Sequence, residues 1–143
     1  HCVQLEGVVF QEALKAVLAQ TDIITLPCVV AQDNDMDGIP NSLMEGMAMG
    51  IPAVSTTISG IPELIEDNVS GLLVPPGDAT ALAAALARLL ADAGLRQRLG
   101  MAGRAKVVAD YEINQNTRKL LDIFHARLQA DLATYPHEAI HAF

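Results

Sequence analysis

DGIPNSLMEGMAMGIPAVST, residues 37–56, sets a helix-length segment between two identical triplets, Gly38-Ile39-Pro40 and Gly50-Ile51-Pro52. Pro40 has a fixed φ and no amide hydrogen, which suits a helix entrance. Gly50 suits a helix end. Residues 41–49 between them are predicted to form a short helix. PAVST (52–56) follows as a short apolar run, the pattern of a strand covered on both faces. Asp37 and Glu45 are the only acids in this otherwise apolar stretch.

The pattern extends in both directions. Upstream, DIITLP (22–27) is a second apolar run closed by a proline, and CVVAQDNDMDG (28–38) is a polar loop joining it to the helix. Before it, QEALKAVLAQ (11–20) places Leu14, Val17 and Leu18 on one helical face. VQLEGVV (3–9) carries β-branched and apolar residues around Gly7, the pattern of a short strand and a turn. Downstream, residues 57–61 form a loop and Pro62 opens a short helix ending near Glu66. GLLV (71–74) is a strand and PPGD turns out of it. Asp78 is placed to cap a helix over 79–92, with Leu82, Leu86, Leu89 and Leu90 as its buried stripe and Gly94 as its stop. A helix over 95–109 carries Arg96, Arg98 and Arg104 toward solvent. A last helix over 113–132 turns Leu120, Leu121, Phe124 and Leu128 inward. Strands alternating with helices predict an α/β fold, a parallel Rossmann-like sheet flanked by helices and ending in three helices. The expected organisation is one domain over 1–132 and a patternless tail over 133–143.

Bulk composition narrows the functional classes. Charged residues make up 18% of the 143 positions and apolar residues 51%, against a usual charged share of about 25%. Much surface is therefore expected to be buried, within the domain or against something outside the chain. The net charge of −8 opposes sequence-independent binding to nucleic acid, which needs clustered Lys and Arg. It also opposes docking of this part on anionic lipid. Two cysteines, Cys2 and Cys28, are too few for a disulfide framework and point to a reduced, cytoplasmic compartment. No apolar run has the length of a membrane span, since Arg88 interrupts the best one. The sequence opens on His1, and the expectation is a piece of a longer protein.

The segment 37–45 carries the chemistry. In an open α/β sheet, ligands bind outside the carboxyl ends of the strands, and the loop 28–38 leaves such an end. First-turn amides from about Asn41 to Met44 would be unpaired donors at the positive end of the helix dipole, a setting that favours an anion. Gly38 lets a ligand approach the backbone closely. Asp37 lies just before the helix and Glu45 about a turn in. Two separated carboxylates can accept from ribose or hexose hydroxyls. A sugar–phosphate ligand satisfies this arrangement. So does a purely structural helix entrance, because acids near a helix start are favourable without any ligand.

Several stretches resemble one family. The sequence is similar to the carboxyl-terminal half of the retaining glycosyltransferases of family 4, which have the two-domain GT-B fold. Their signature is an acid, seven residues, then Glu, followed by a small-residue helix and a Gly-x-Pro turn. Here it reads Asp37, GIPNSLM, Glu45, GMAMGIPAV. The likeness continues through SGIPELIEDNVSGLLVPPGD (59–78) and LRQRLGMAGRAKV (95–107). It begins upstream in LEGVVFQEALKAVLAQTDIITLPC (5–28). The resemblance implies that Glu45 binds the ribose hydroxyls of a UDP- or GDP-linked sugar donor and Asp37 the hydroxyls of the transferred sugar. It implies that the backbone around Gly38, Ile39, Asn41, Ser42 and Leu43 meets sugar and diphosphate. The turn at Gly7, Val8 and Val9 would hold the base. Transfer would retain anomeric configuration and need no metal or other cofactor. The acceptor, a saccharide or lipid-linked sugar, would bind a separate N-terminal domain, with the intact enzyme cytoplasmic or peripheral to a membrane in bacterial polysaccharide assembly. The sequence departs from the family in its first acid, Asp37 rather than Glu, and in Cys28 where Ser is common. The family's diphosphate-binding Arg and Lys lie upstream of this segment.

Two other classes stand beside this one. The same residues would serve a nucleotide-sugar-binding module without catalysis. His137-Glu138-Ala139-Ile140-His141 has the H-E-x-x-H pattern, which on a helix presents two zinc ligands and a general base, but it offers no third ligand downstream. Glu63 sits at a helix start, where an acid is favourable regardless. Cys28 and the methionines suit packing.

Overall fold

The structure, a computed structural model, describes residues 3–30 and 38–134. Among them, β1 (Ile24–Leu26), β2 (Ala53–Thr56) and β3 (Leu72–Val74) form a parallel sheet in the order β1-β2-β3. Helix α1 (Gln11–Leu18) precedes β1. Helix α2 (Asn41–Ala48) joins β1 to β2, and the single turn α3 (Ile61–Leu64) joins β2 to β3. After β3 come α4 (Ala79–Ala91), α5 (Ala93–Asp110) and α6 (Ile113–Thr134). The expected α/β architecture, with three closing helices, is the one found. The chain divides into two compact units, residues 1–109 and 110–143.

β2 is central, and all four of its residues are buried, as an unbroken apolar run requires. Val54 lies beside Leu72, and Thr56 beside Val74. Val54, Leu72 and Val74 pack with Ala85 and Leu89 of α4 and Leu99 of α5. Side chains alternate along a strand, so Ala53 and Ser55 face the other way, toward the α2 side. There Ile24, beside Ala53 in register, packs against Gly46 of α2 so closely that a Cβ at Gly46 would lie 2.6 Å from Ile24 Cδ1. The buried hydroxyls are satisfied locally. Ser55 Oγ donates to the Leu26 carbonyl at 2.6 Å and Thr56 Oγ1 to the Cys28 carbonyl at 2.7 Å, tying β2 to the end of β1.

Helix termini follow their sequence signals. Asp78 Oδ1 accepts from the Ala81 amide at 2.9 Å and caps α4 as expected. Gly50, at φ +80°, ends α2 in a Schellman arrangement: its amide donates to Met47 O, and the Ile51 amide donates to Gly46 O. In the second unit Glu112 caps α6. The Gln115 and Asn114 amides donate to its carboxylate at 2.8 and 3.1 Å and hold it below the usual carboxylate range.

Several expectations are corrected. Residues 3–9 form no strand, and Val8 is 85% exposed. A strand needs a neighbour for its amides, and no described strand lies beside this segment. β1 is only half-buried, with Thr25 exposed. Thr25 shares the face of Val54, but α4 lies over β2 and β3. Val17 is exposed while Leu18 is buried. Leu90 is 69% exposed; Leu89 is buried as expected, Leu82 and Leu86 pack half-buried against the core, and Ala85 joins them there. Gly94 does not stop α4; Asp92 does, and its side chain accepts from the Leu95 amide to start α5. Arg96 is half-buried and donates to the Leu89 and Leu90 carbonyls at 2.6 and 3.2 Å, closing the end of α4. Arg98 and Arg104 are exposed as expected, and Arg98 donates to the Asn68 carbonyl at 3.1 Å. On α6, Leu120, Leu121, Phe124 and Leu128 are exposed rather than inward.

Candidate functional site

The carboxyl ends of the three strands point to one side of the sheet, and α2 begins there. Pro40 precedes it at φ −66° and ψ 125°, an extended entrance. Its carbonyl accepts from the Leu43 amide at 3.1 Å and the Met44 amide at 3.4 Å. The expectation that all amides from Asn41 to Met44 stand unpaired is therefore corrected. The amides of Asn41 and Ser42 remain as the first-turn donors that no turn of α2 can serve. The Asn41 and Ser42 side chains are exposed, whereas that of Leu43 is 0% exposed and belongs to the core.

Glu45 is exposed on the flank of α2. It borders a groove of about 250 Å³ whose other walls are Leu14, Lys15 and Leu18 of α1 and Ala48 and Met49 of the α2 end. An apolar floor with an acid and a base on its rim can hold a ring by its face and a hydroxyl pair by its edge. Lys15 had no signal in the sequence beyond its place on an amphipathic helix. The turn before α1 is present: Gly7 is in the left-handed region at φ +68°, Val8 is exposed and Val9 half-buried. Phe10 then opens α1, its carbonyl accepting from the Ala13 and Leu14 amides.

Gly38 and Ile39 lie against Gly60, in the turn after β2. Glu63 is exposed in the first turn of α3. A second cavity, about 200 Å³, lies at the strand ends beside α4 and is lined by Pro27, Thr56, Val74, Asp78 and Leu82. Asp78 is engaged there as a cap. Asp37 and the His137–His141 motif lie outside the described residues. Among the described residues, no three His, Cys, Asp or Glu side chains gather as a metal site would need.

The entrance of α2 lies at the carboxyl end of a parallel sheet with Glu45 on its flank, the place where open α/β proteins bind their ligands. Residues 1–92 match the family described as glycosyl transferases group 1, and the chain belongs to that family. The amylovoran biosynthesis glycosyltransferase AmsK of Erwinia amylovora is 49% identical over 122 residues, covering 85% of this chain and 30% of that relative. Sucrose-phosphate synthase from Thermosynechococcus elongatus superposes with a TM-score of 0.75 at 27% identity, over 87% of this chain and 30% of that one. Anabaena HepE, solved with UDP, shares the fold at a TM-score of 0.70 and 19% identity, over 77% of this chain and 29% of that one. The chain thus spans about 30% of the length of the curated relative AmsK. It is a C-terminal part, a Rossmann-like half of the GT-B fold. The family supports neither a zinc hydrolase nor a binding module without catalysis.

Proposed function

We propose that the full protein transfers a sugar, with retention, from a nucleoside diphosphate donor to a saccharide or lipid-linked acceptor, and that this chain holds the donor. The observation that carries the reading is Glu45. In a group 1 glycosyl transferase it stands one turn into the helix that opens at the carboxyl end of the sheet, over the groove shared with α1. Its carboxylate accepts from the two ribose hydroxyls. The Asn41 and Ser42 amides receive the diphosphate at the positive end of α2. Leu43 contributes less than the resemblance implies, because its amide already serves Pro40 O. Asp37 takes hydroxyls of the transferred sugar, and the Gly7–Val9 backbone takes the base. The UDP bound by HepE supports a uridine donor as the first to test.

The acceptor binds an N-terminal domain, and the whole acts at the cytoplasmic side of a bacterial membrane. The part of AmsK in amylovoran biosynthesis supports a polysaccharide as product. Transfer proceeds without a metal, so activity of the full protein should survive an excess of EDTA. The 143-residue chain alone should transfer no sugar, because both substrates must be held in one orientation; turnover by it above a donor-hydrolysis blank would count against this.

The decisive experiment is titration of the full protein with UDP, GDP and the matching UDP- and GDP-sugars. Glu45→Gln should weaken diphosphate and donor alike, whereas Asp37→Asn should weaken only the donor. A charged hydrogen bond contributes about 1.5–3 kcal/mol, so each loss should be roughly 10- to 150-fold. Equal losses for both ligands in both variants would remove the division of roles.

A further inference from the structure

Gly60 touches the loop before α2, and its one signal in the sequence is its place in the family-like stretch 59–78. A Cβ built on it would lie 2.7 Å from Ile39 Cγ1 and 3.5 Å from both the carbonyl carbon and the oxygen of Gly38. Real Cβ atoms essentially never approach below 3.0 Å, so any side chain at position 60 must displace one partner. Gly60 itself is poorly placed to yield. The next residue, Ile61, is 1% exposed in the core, its amide bonded to Ile58 O at 3.2 Å, and the Gly60 carbonyl accepts from the Glu63 amide at 3.1 Å. Ile39 is half-buried and β-branched, and its Cγ1 moves only by turning a stiff χ1. The segment that gives way is Gly38–Ile39, the two residues before Pro40 and α2.

We propose that Gly60 is a positioning residue for donor binding: its bare Cα seats Gly38–Ile39 and thereby sets how closely a diphosphate approaches the Asn41 and Ser42 amides. The proposal rests on the donor-site reading of Glu45 and α2. It links two loops, one after β1 and one after β2, through a single steric contact. It also assigns a ligand-specific consequence to a residue that contributes no polar side chain.

The test compares Gly60→Ala, Ile39→Ala, the double variant and Glu45→Gln in the full protein. Each is titrated with UDP and GDP, and with uridine and guanosine as ligands lacking the diphosphate. Gly60→Ala should weaken whichever diphosphate binds by about 3- to 10-fold, the equivalent of one side chain forced off its rotamer. It should leave the nucleoside unchanged. Adding Ile39→Ala, which removes the obstructing Cγ1, should restore most of the loss. Glu45→Gln should weaken nucleoside and diphosphate together. Undiminished diphosphate binding by Gly60→Ala, an unrelieved loss in the double variant, or an equal loss of nucleoside affinity in Gly60→Ala would each overturn the positioning role while the donor-site reading stands. Unchanged binding in Glu45→Gln would overturn the donor-site reading and the positioning role together.

Discussion

Gly-Ile-Pro occurs at 38–40, 50–52 and 60–62, and the copies at opposite ends of the sheet do opposite work. At the amino end, Gly50 closes α2 in a left-handed turn, Ile51 is 5% exposed, and Pro52 is buried. Helix α5 lies directly on this turn, where a Cβ at Gly100 would strike the Gly50 carbonyl oxygen. At the carboxyl end, Gly38 is exposed, Ile39 and Pro40 are half-buried, and the contact is with another loop through Gly60. Identical tripeptides thus serve as a packed joint at one end and as the rim of the proposed donor site at the other. What separates them is the element laid against them, which the tripeptide itself does not encode.

The comparison breaks most readily at its isoleucines. Ile51→Ala should lower stability by about 2–5 kcal/mol, the usual range for emptying a fully buried aliphatic site. Ile39→Ala, half-exposed, should lower it by well under half as much. Urea unfolding of both variants measures the difference, and comparable losses would mean the two turns are not mechanically distinct. Next in size is Gly100→Ala. Its new Cβ meets a backbone carbonyl rather than a flexible side chain, so helix and turn must separate. Overpacking of this kind costs about 1–3 kcal/mol, and a shift in the unfolding midpoint without a change in slope would register it.

The same contrast explains what the sequence alone could reveal. Elements whose neighbours lie close along the chain were legible: α2 between its triplets, the buried run of β2, the Asp78 cap. Glu45 stood out as a candidate because its spacing from Asp37 is a local pattern. Elements that depend on distant or outside partners were not. Residues 3–9 have strand composition but no strand beside them, and β1 has strand composition but lies at the edge of the described sheet. The apolar positions of α6 predicted burial that periodicity cannot guarantee, since a stripe specifies a face and not what covers it. The contact of Gly60 was invisible because it lies in an absent Cβ, which registers only when Ile39 is seen beside it. Arg96 was assigned to solvent because nothing local shows that the carbonyls ending α4 lie within its reach.

The smallest expected effect sharpens the comparison from the carboxyl end. Asp78 and Asp37 both precede a helix in the sequence, but only Asp37 is proposed to meet the donor. Asp78 Oδ1 accepts from the Ala81 amide, and its side chain lines the cavity beside α4 rather than the groove beside Glu45. If its work is capping alone, Asp78→Ala should lower stability by about 1 kcal/mol. Asp78→Asn should lower it far less, since the Asn side-chain oxygen can accept the same bond. Neither change should alter the affinity for UDP, GDP or their sugars. A Kd shift in Asp78→Asn with stability intact would show that its charge reaches the ligand, and the cavity beside α4 would then belong to the donor site.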